Sequence, residues 1–413
     1  MNAVPAQSAK PFSLAEDRPS AVGQVLMQFT IGKVIPWFFG LLRRFAPTFR
    51  FPFTNTVIVT RFDDVQEICE RHDDFPVPYQ KMVDHLSWVP TFVLAMKDTP
   101  EYRETLKQVY QLWRKEDLEF VRRIARETSE QHLDAAKGRI DAIQDLMVPV
   151  TLAVIERYYG IPISAQDRQP FSDGAMHIAG YLFGPQSLNP KKIALAQRAI
   201  AGVWSVIDKA IAAAHANPLP ESTIIGRCIA QKITDDAHLR SYLMGMIVGY
   251  LPTNTNANGR VLDVVMNEPE ALRHALEAGR SGDYDRMLKV MYESLRMNYI
   301  LPGLWRTTTE PREIGAGGGS PRRIEAGRLI YISFMAAMMD ARRIAHPERF
   351  DPDRSPDVYM IYGYKFHWCV GAYISDAMMK EIFMSIMKRA PQQEGKLKMY
   401  GNFPWNLVLR YKA

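Results

Sequence analysis

One cysteine, Cys369, sits in the run YGYKFHWCVGAYISD from Tyr362 to Asp376, with His367 two residues before it and Gly371 two after. Tyr362, Tyr364, Phe366 and Trp368 crowd its N-terminal side, and an apolar run rich in helix formers follows. A sulfur framed this way is a candidate axial thiolate for haem iron, a ligand that pushes electron density onto the metal and favours O–O cleavage. The neighbours have physical jobs in that reading. Gly371 would let the backbone turn tightly. Free N–H groups at the start of the following helix can donate to the sulfur and lower the thiol pKa. Phe366 and Trp368 would exclude water and so tune the potential. An isolated cysteine is more often a small buried hydrophobe, so the assignment rests on what else the chain supplies.

Glu293-Ser-Leu-Arg296 places an acid and a base at i, i+3 on one face of a strong helix. Ten residues on, Trp305-Arg306-Thr307-Thr308 puts an arginine on a strand-like piece. Then come Ala336 to Asp340, the run His346-Pro-Glu-Arg349-Phe-Asp-Pro-Asp-Arg354, and the cysteine loop. Upstream, Asp98-Thr-Pro-Glu101-Tyr102 opens a helix. The long helical pattern in the middle of the chain carries Gly249-Tyr250-Leu251-Pro252-Thr253-Asn254.

In this order the set resembles the cytochrome P-450 superfamily over most of the chain. The resemblance implies a mainly α fold with small β-sheets (α+β), a haem b held between a long central helix and the Cys369 loop, and an oxidoreductase. It implies that Glu293, Arg296 and Arg349 form a buried ion network under the haem, where losing one partner strands charge at a cost of about 3–5 kcal/mol. It also implies that Arg306 and His367 bind the haem propionates, and that Tyr102 stands where many bacterial members place a propionate-binding His. Thr253 falls at the alcohol position over the haem, but Pro252 has displaced the acid that normally precedes it. Proline carries no proton, frees the Val248 carbonyl and kinks a helix. Asn254 or Asn256 could then orient water or a substrate oxygen, or simply bond neighbouring helices. Lys365 replaces a usual glycine four residues before the cysteine, and Asp376 a frequent arginine after it.

The default activity this implies is monooxygenation of a hydrophobic or lipid substrate with dioxygen and electrons from a ferredoxin- or flavodoxin-type donor. The family's fatty-acid peroxygenases also carry proline at this point, after an arginine that here is Leu251. A peroxygenase or hydroperoxide-rearranging enzyme is therefore the alternative, and a haem protein that only senses ligands is the remote one.

The elements that must position these residues are mostly helices. The 413 residues are 47% hydrophobic and 23% charged, enough for a large core. Three cysteines in such a chain argue against a disulfide scaffold, and no Cys/His spacing suggests zinc. The net charge of +6 comes with no Lys/Arg block and no nucleic-acid motif, which favours an acidic protein or an anionic membrane as partner. Residues 1–20 read as a flexible arm and 21–413 as a single domain. No signal-peptide pattern opens the chain, and a cytoplasmic, soluble protein is expected. The stretch from Val25 to Leu42 is apolar but interrupted by Lys33 and Pro36, and Trp37, Phe38 and Phe39 beside Arg43 and Arg44 suggest a peripheral membrane contact. Alternation from Phe51 to Thr60 predicts two short strands about Thr54–Asn55. Tyr181 to Pro190 predicts a loop, Thr234 to Asn267 one very long helix, and Gly315 to Ser320 a turn. The aromatic pocket positions expected from the resemblance are Tyr79, Trp88, Phe92, Tyr181, Phe183 and Tyr250.

Overall fold

The structure, a computed structural model, describes residues 11–17, 20–184, 189–315 and 321–412. It opens with an apolar helix in two parts, α1 (Ala21–Phe29) and α2 (Ile35–Phe45), joined by a wider turn over Thr30–Val34. β1 (Thr48–Arg50) and β2 (Thr56–Val59) form a hairpin about Thr54–Asn55, with the first strand lying before Phe51 rather than within the expected Phe51 to Thr60. Then come α3 (Phe62–Glu70), α4 (Gln80–His85), α5 (Pro100–Leu112), α6 (Leu118–Ala135), β3 (Arg139–Asp141), α7 (Val148–Val154), α8 (Arg168–Phe183), α9 (Pro190–Ala216) and α10 (Ile224–Gln231).

The central helix, α11 (Asp236–Asn267), has 32 residues, about 48 Å at 1.5 Å per residue. It is capped by Asp235, whose carboxylate accepts from the His238 N–H at 2.9 Å. Pro252 lies inside it without ending it. Most residues from Leu239 to Leu262 are buried, because neighbours pack on several sides of the helix; such a helix has no single apolar stripe.

After α11 come α12 (Pro269–Ser281), α13 (Tyr284–Met297), β4 (Leu304–Thr307), β5 (Arg312–Ile314), β6 (Arg322–Ile324), β7 (Leu329–Ile332), α14 (Phe334–Ala337), α15 (Ala372–Met387), β8 (Gln392–Tyr400) and β9 (Phe403–Arg410). The sheets run β1-β2-β7-β4, β3-β9-β8 and β5-β6. In the first, β7 pairs parallel to β2 and antiparallel to β4, with Arg306 opposite Ile330, so the N-terminal hairpin and the Arg306 strand share one frame. A contiguous buried cluster extends from Phe12 to Leu409.

Three further expectations change. Part of the segment read as a loose arm is packed: Phe12 and Leu14 are buried, the Leu14 N–H donates to Asp173 at 3.0 Å, and Glu16 pairs with Arg198 at 2.9 Å. Residues 1–10 and 18–19 lie outside the described residues. The loop expected from Tyr181 begins only after Phe183, and residues 185–188, like most of the turn at Gly315 to Ser320, also lie outside them. Of the aromatic triple on α2, only Trp37 faces outward, at 65% exposure. Phe39 is buried and Phe38 half-buried against Phe49, because neighbouring helix positions turn about 100° apart and cannot share a face.

Candidate active site

Gly371 caps α15, and the cysteine loop wraps in front of it. The loop is shaped by left-handed backbone at Gly363 (φ 81°), Lys365 (φ 51°) and His367 (φ 64°). Lys365 therefore adopts a left-handed conformation that favours glycine, at a cost of about 1 kcal/mol. Gly371 does not use its own freedom: its φ is −91°, and an added Cβ would find only ordinary contacts with Met246 Cε at 3.7 Å and Cys369 Sγ at 3.9 Å. The Cys369 N–H donates to Tyr362 O at 2.9 Å. Burial pushes the Cys369 thiol up to about 11, with the Asp376 charge adding to it, while the Gly371 and Ala372 N–H groups bond the sulfur and act the other way. Those two N–H groups are the expected donors at the helix start.

Behind the loop, Glu293 and Arg296 on α13 are fully buried and paired through two bonds at 2.7 and 2.8 Å. The third partner is not Arg349. Arg349 is exposed and contributes only its backbone carbonyl, 3.4 Å from Arg296 Nη2. Arg354 takes the place, with Nε 3.0 Å from Glu293 Oε1 and its remaining donors on the carbonyls of Ala345, His346 and Arg349. The turn after His346 sends the Arg349 side chain outward and its carbonyl inward. Tyr359 and the Asp351 N–H complete the shell around Glu293. Asp376 accepts from Tyr292 at 2.7 Å and Tyr362 at 2.6 Å, which ties α13, the loop and α15 together.

Beside the loop, Arg306, His367, Phe366, His72 and Met96 line a cavity of about 40 Å³. Arg306 is buried, and among the described residues no carboxylate comes within ion-pair distance of it. His367 Nε2 is buried without a hydrogen-bond partner. Burial, then Arg306 and His72, lower the His367 pKa to about 3, so the ring is a neutral donor or acceptor. Tyr102 packs on Phe366 at 4.8 Å and on His367 at 5.7 Å, and burial raises its hydroxyl to about 12. A buried guanidinium with no counter-ion, next to an unpartnered ring nitrogen, suits the carboxylate edge of a haem. Nothing in the spacing marked His72, which stacks on Phe366 at 4.1 Å and 15° and lines the same cavity. A histidine just past the end of α3 carries no local pattern.

Across the loop stands α11. Met246 reaches Gly371, and a Cβ added at Gly249 would meet nothing within 4 Å, so this face of the helix borders open space. Thr253, one turn on, donates its hydroxyl to the Gly249 carbonyl. Pro252 is buried and has no N–H for the Val248 carbonyl. The two asparagines are committed elsewhere. Asn254 donates to Tyr250 O and to Ser375 Oγ at 3.1 Å, which fastens α11 to α15. Asn256 donates to Ile300 O and accepts from Arg260. The amide N–H groups of Asn254 are thus spent on the backbone and on a neighbouring helix, whereas Asn256 bonds the segment before β4 and the next turn of α11 itself. Tyr250 also turns away, with its ring on Tyr159 and its hydroxyl on Met378 Sδ.

Of the other aromatic positions, Phe92 packs on the same face of α11 that carries Gly249 and Thr253. Phe92 lies so close to Gly245 that a Cβ there would come within 2.4 Å of the ring, Trp88 stacks on Phe92, and Tyr79 meets Phe183 at 6.2 Å. Tyr181 instead bonds His85 at 3.0 Å.

Comparison with known proteins agrees with this geometry. No family model matches the chain. The cyclomarin C epoxidase CymV of Salinispora arenicola is 24% identical over 245 residues, 58% of this chain and 58% of that protein. Cytochrome P-450 119 of Sulfolobus acidocaldarius is 24% identical over 287 residues, 69% of this chain and 70% of that one. The chain thus spans under two thirds of the epoxidase. Among solved structures, P-450BioI in complex with an acyl carrier protein ligated to hexadec-9Z-enoic acid superposes with a TM-score of 0.78 at 18% identity, over 92% of this chain and 99% of that one.

Proposed function

Because the chain belongs to the cytochrome P-450 superfamily of haem-thiolate oxidoreductases, we propose that Cys369 is its thiolate ligand and that it inserts one oxygen atom into a hydrophobic organic substrate. Electrons would come from a separate ferredoxin- or flavodoxin-type protein, for which the exposed Lys365 beside the cysteine offers a cationic contact. When bound, the haem supplies the redox-active iron at which oxygen is activated. The chain's own residues do the rest. Arg306 and His367, with His72, hold the carboxylate edge, and Tyr102, neutral at working pH, donates a hydrogen bond there. Glu293, Arg296 and Arg354 fix the segment that carries the loop. Tyr79, Trp88, Phe92 and Phe183 give the substrate a dry aromatic wall, and Thr253 holds a hydroxyl proton on the open face of α11.

The observation that carries this reading is the pairing of a counter-ion-free buried Arg306 with the unpartnered His367 Nε2, two residues from Cys369. A ferrous–CO spectrum of the thiolate type tests the ligand, and its loss in Cys369→Ala is the expected result. The activity test compares turnover with a surrogate ferredoxin system against turnover with hydrogen peroxide.

A second reading, peroxide-driven oxidation, has one specific observation in its favour. Pro252 removes the acid, and the amide donors of Asn254 and Asn256 are bonded elsewhere. A peroxide arrives with its O–O bond formed and needs less proton delivery. Product formed only with the reductase system sinks this reading.

We also propose that α1, α2 and the β1–β2 tip rest on an anionic membrane. From Ser20 to Phe62 there are five cations and no Asp or Glu. Val22–Phe45 is 24 residues long and contains an 18-residue stretch of mean hydropathy 1.5 of which only 12% is buried, and Trp37, Phe45 and Phe53 stand outward. Phe39 and Leu42 anchor the helix on the body, which favours lying on a surface over crossing it.

A further inference from the structure

A cavity of about 520 Å³ opens between α2, the C-terminal third of α11 and the end of α13, a size typical of small-molecule sites. Its walls are largely apolar, with Pro36, Phe39, Val264, Tyr299 and Met335 among them, yet two guanidinium groups look into it. Arg260 is 9% exposed, and all its hydrogen bonds go to neutral groups: Asn256 Oδ1 at 2.6 Å, Asn298 Oδ1 at 2.7 Å, and Asn402 through Oδ1 at 2.7 Å and O at 3.1 Å. These occupy four of its five N–H donors and leave one on Nη1. Arg43 makes a single hydrogen bond, to Ala336 O at 2.8 Å. Among the described residues neither arginine has an ion pair. Buried charge is normally paired, because leaving it unpaired is expensive.

Among the described residues neither acid on the same wall comes within ion-pair distance of Arg43 or Arg260. Burial raises the Asp263 pKa and the Arg260 charge acts against that, its carboxylate accepts from Asn267, and Glu268 is partly exposed at the C-terminal end of α11. The outer face of α2 is the apolar surface that carries Trp37 and Leu41, so an amphiphile could reach the cavity from that side.

We propose that this cavity binds a free amphiphilic carboxylate of the fatty-acid class, its head on Arg43 and Arg260 and its chain along Phe39, Val264 and Met335. The site is distinct from the Cys369 and Thr253 residues already described. A membrane phospholipid could offer a similar anionic head, and the test separates the two sources.

The test titrates the haem-loaded full chain with monomeric dodecanoate, dodecanol and methyl dodecanoate by calorimetry. Dodecanoate is expected to bind at least tenfold more tightly than the two neutral analogues, the factor expected from a charge-assisted pair. Arg43→Gln, checked for an intact ferrous–CO spectrum, is expected to erase most of that preference while leaving dodecanol binding within twofold. Equal binding of acid and alcohol by the wild-type chain overturns the proposal, with or without a folded variant. So does unchanged dodecanoate affinity in Arg43→Gln. Retention on phosphatidylglycerol vesicles without any dodecanoate binding also overturns it and assigns the arginines to lipid headgroups. Because these readouts do not depend on turnover, a failed oxidation assay leaves the binding result standing.

Discussion

The arginine that completes the buried network can be identified by stability. Glu293 is inaccessible and Arg354 has a side-chain exposure of 9%, so the pair is desolvated. Breaking a buried pair by removing one member costs about 3–5 kcal/mol when the other is left alone. Here Glu293 would keep Arg296, Tyr359 and the Asp351 N–H, which lowers the expectation for Arg354→Gln to about 2–3 kcal/mol. Three backbone carbonyls would also lose a donor, although His346 O keeps the Arg349 N–H and Arg349 O keeps Arg296. Arg349→Gln removes an exposed side chain and should change stability by less than about 0.5 kcal/mol. Urea unfolding followed by far-UV circular dichroism, at matched haem loading because a cofactor bound only to the folded state shifts apparent stability, measures both. If Arg349→Gln is the more damaging variant, the assignment of Arg354 and the chain path through the turn at His346 are wrong.

Other perturbations follow from the same geometry. Arg306→Gln and His72→Ala should each weaken haem retention, the first by about tenfold or more through a lost charge-assisted contact, as read by transfer of haem to apomyoglobin; unchanged transfer rates would remove both residues from the propionate edge. Pro252→Asp should raise dioxygen-driven product per electron by up to about tenfold while leaving peroxide-driven turnover unchanged, if proton delivery is what Pro252 withholds. Asp376→Asn should raise the reduction potential by about tens of millivolts, because it removes a negative charge that acts on Cys369. Glu394, bonded by Arg410 and then Arg139, has its pKa depressed to about 2, so its contribution is complete above the ordinary carboxylate range and is lost as pH falls toward that value. Glu394→Gln should therefore flatten the acid limb of the stability profile. Trp37→Ala should reduce sedimentation with phosphatidylglycerol vesicles about tenfold and have no effect on phosphatidylcholine alone.

What the sequence determined by itself was local. Cys369 with its aromatic flank, the N–H groups that follow it, and Glu293 and Arg296 one turn apart on a helix are all set by spacing along the backbone, and the structure leaves them where the spacing put them. The length of α11 was equally legible, from the cap at Asp235 to the end before Pro269, with Pro252 inside it. What required the tertiary structure was the direction of side chains where no periodicity constrains them. Arg349 and Arg354 lie five residues apart in an irregular segment, and only the turn between them decides which reaches Glu293. His72 acquires its place by stacking on a residue nearly three hundred positions away. Asn254 and Asn256 sit on one helix beside Thr253, but the partners that occupy them, Ser375, Ile300 and Arg260, come from α15, the segment before β4 and the next turn of α11. Local chemistry identifies the ligand and its family; the packing of distant segments decides which neighbouring polar groups are free to act.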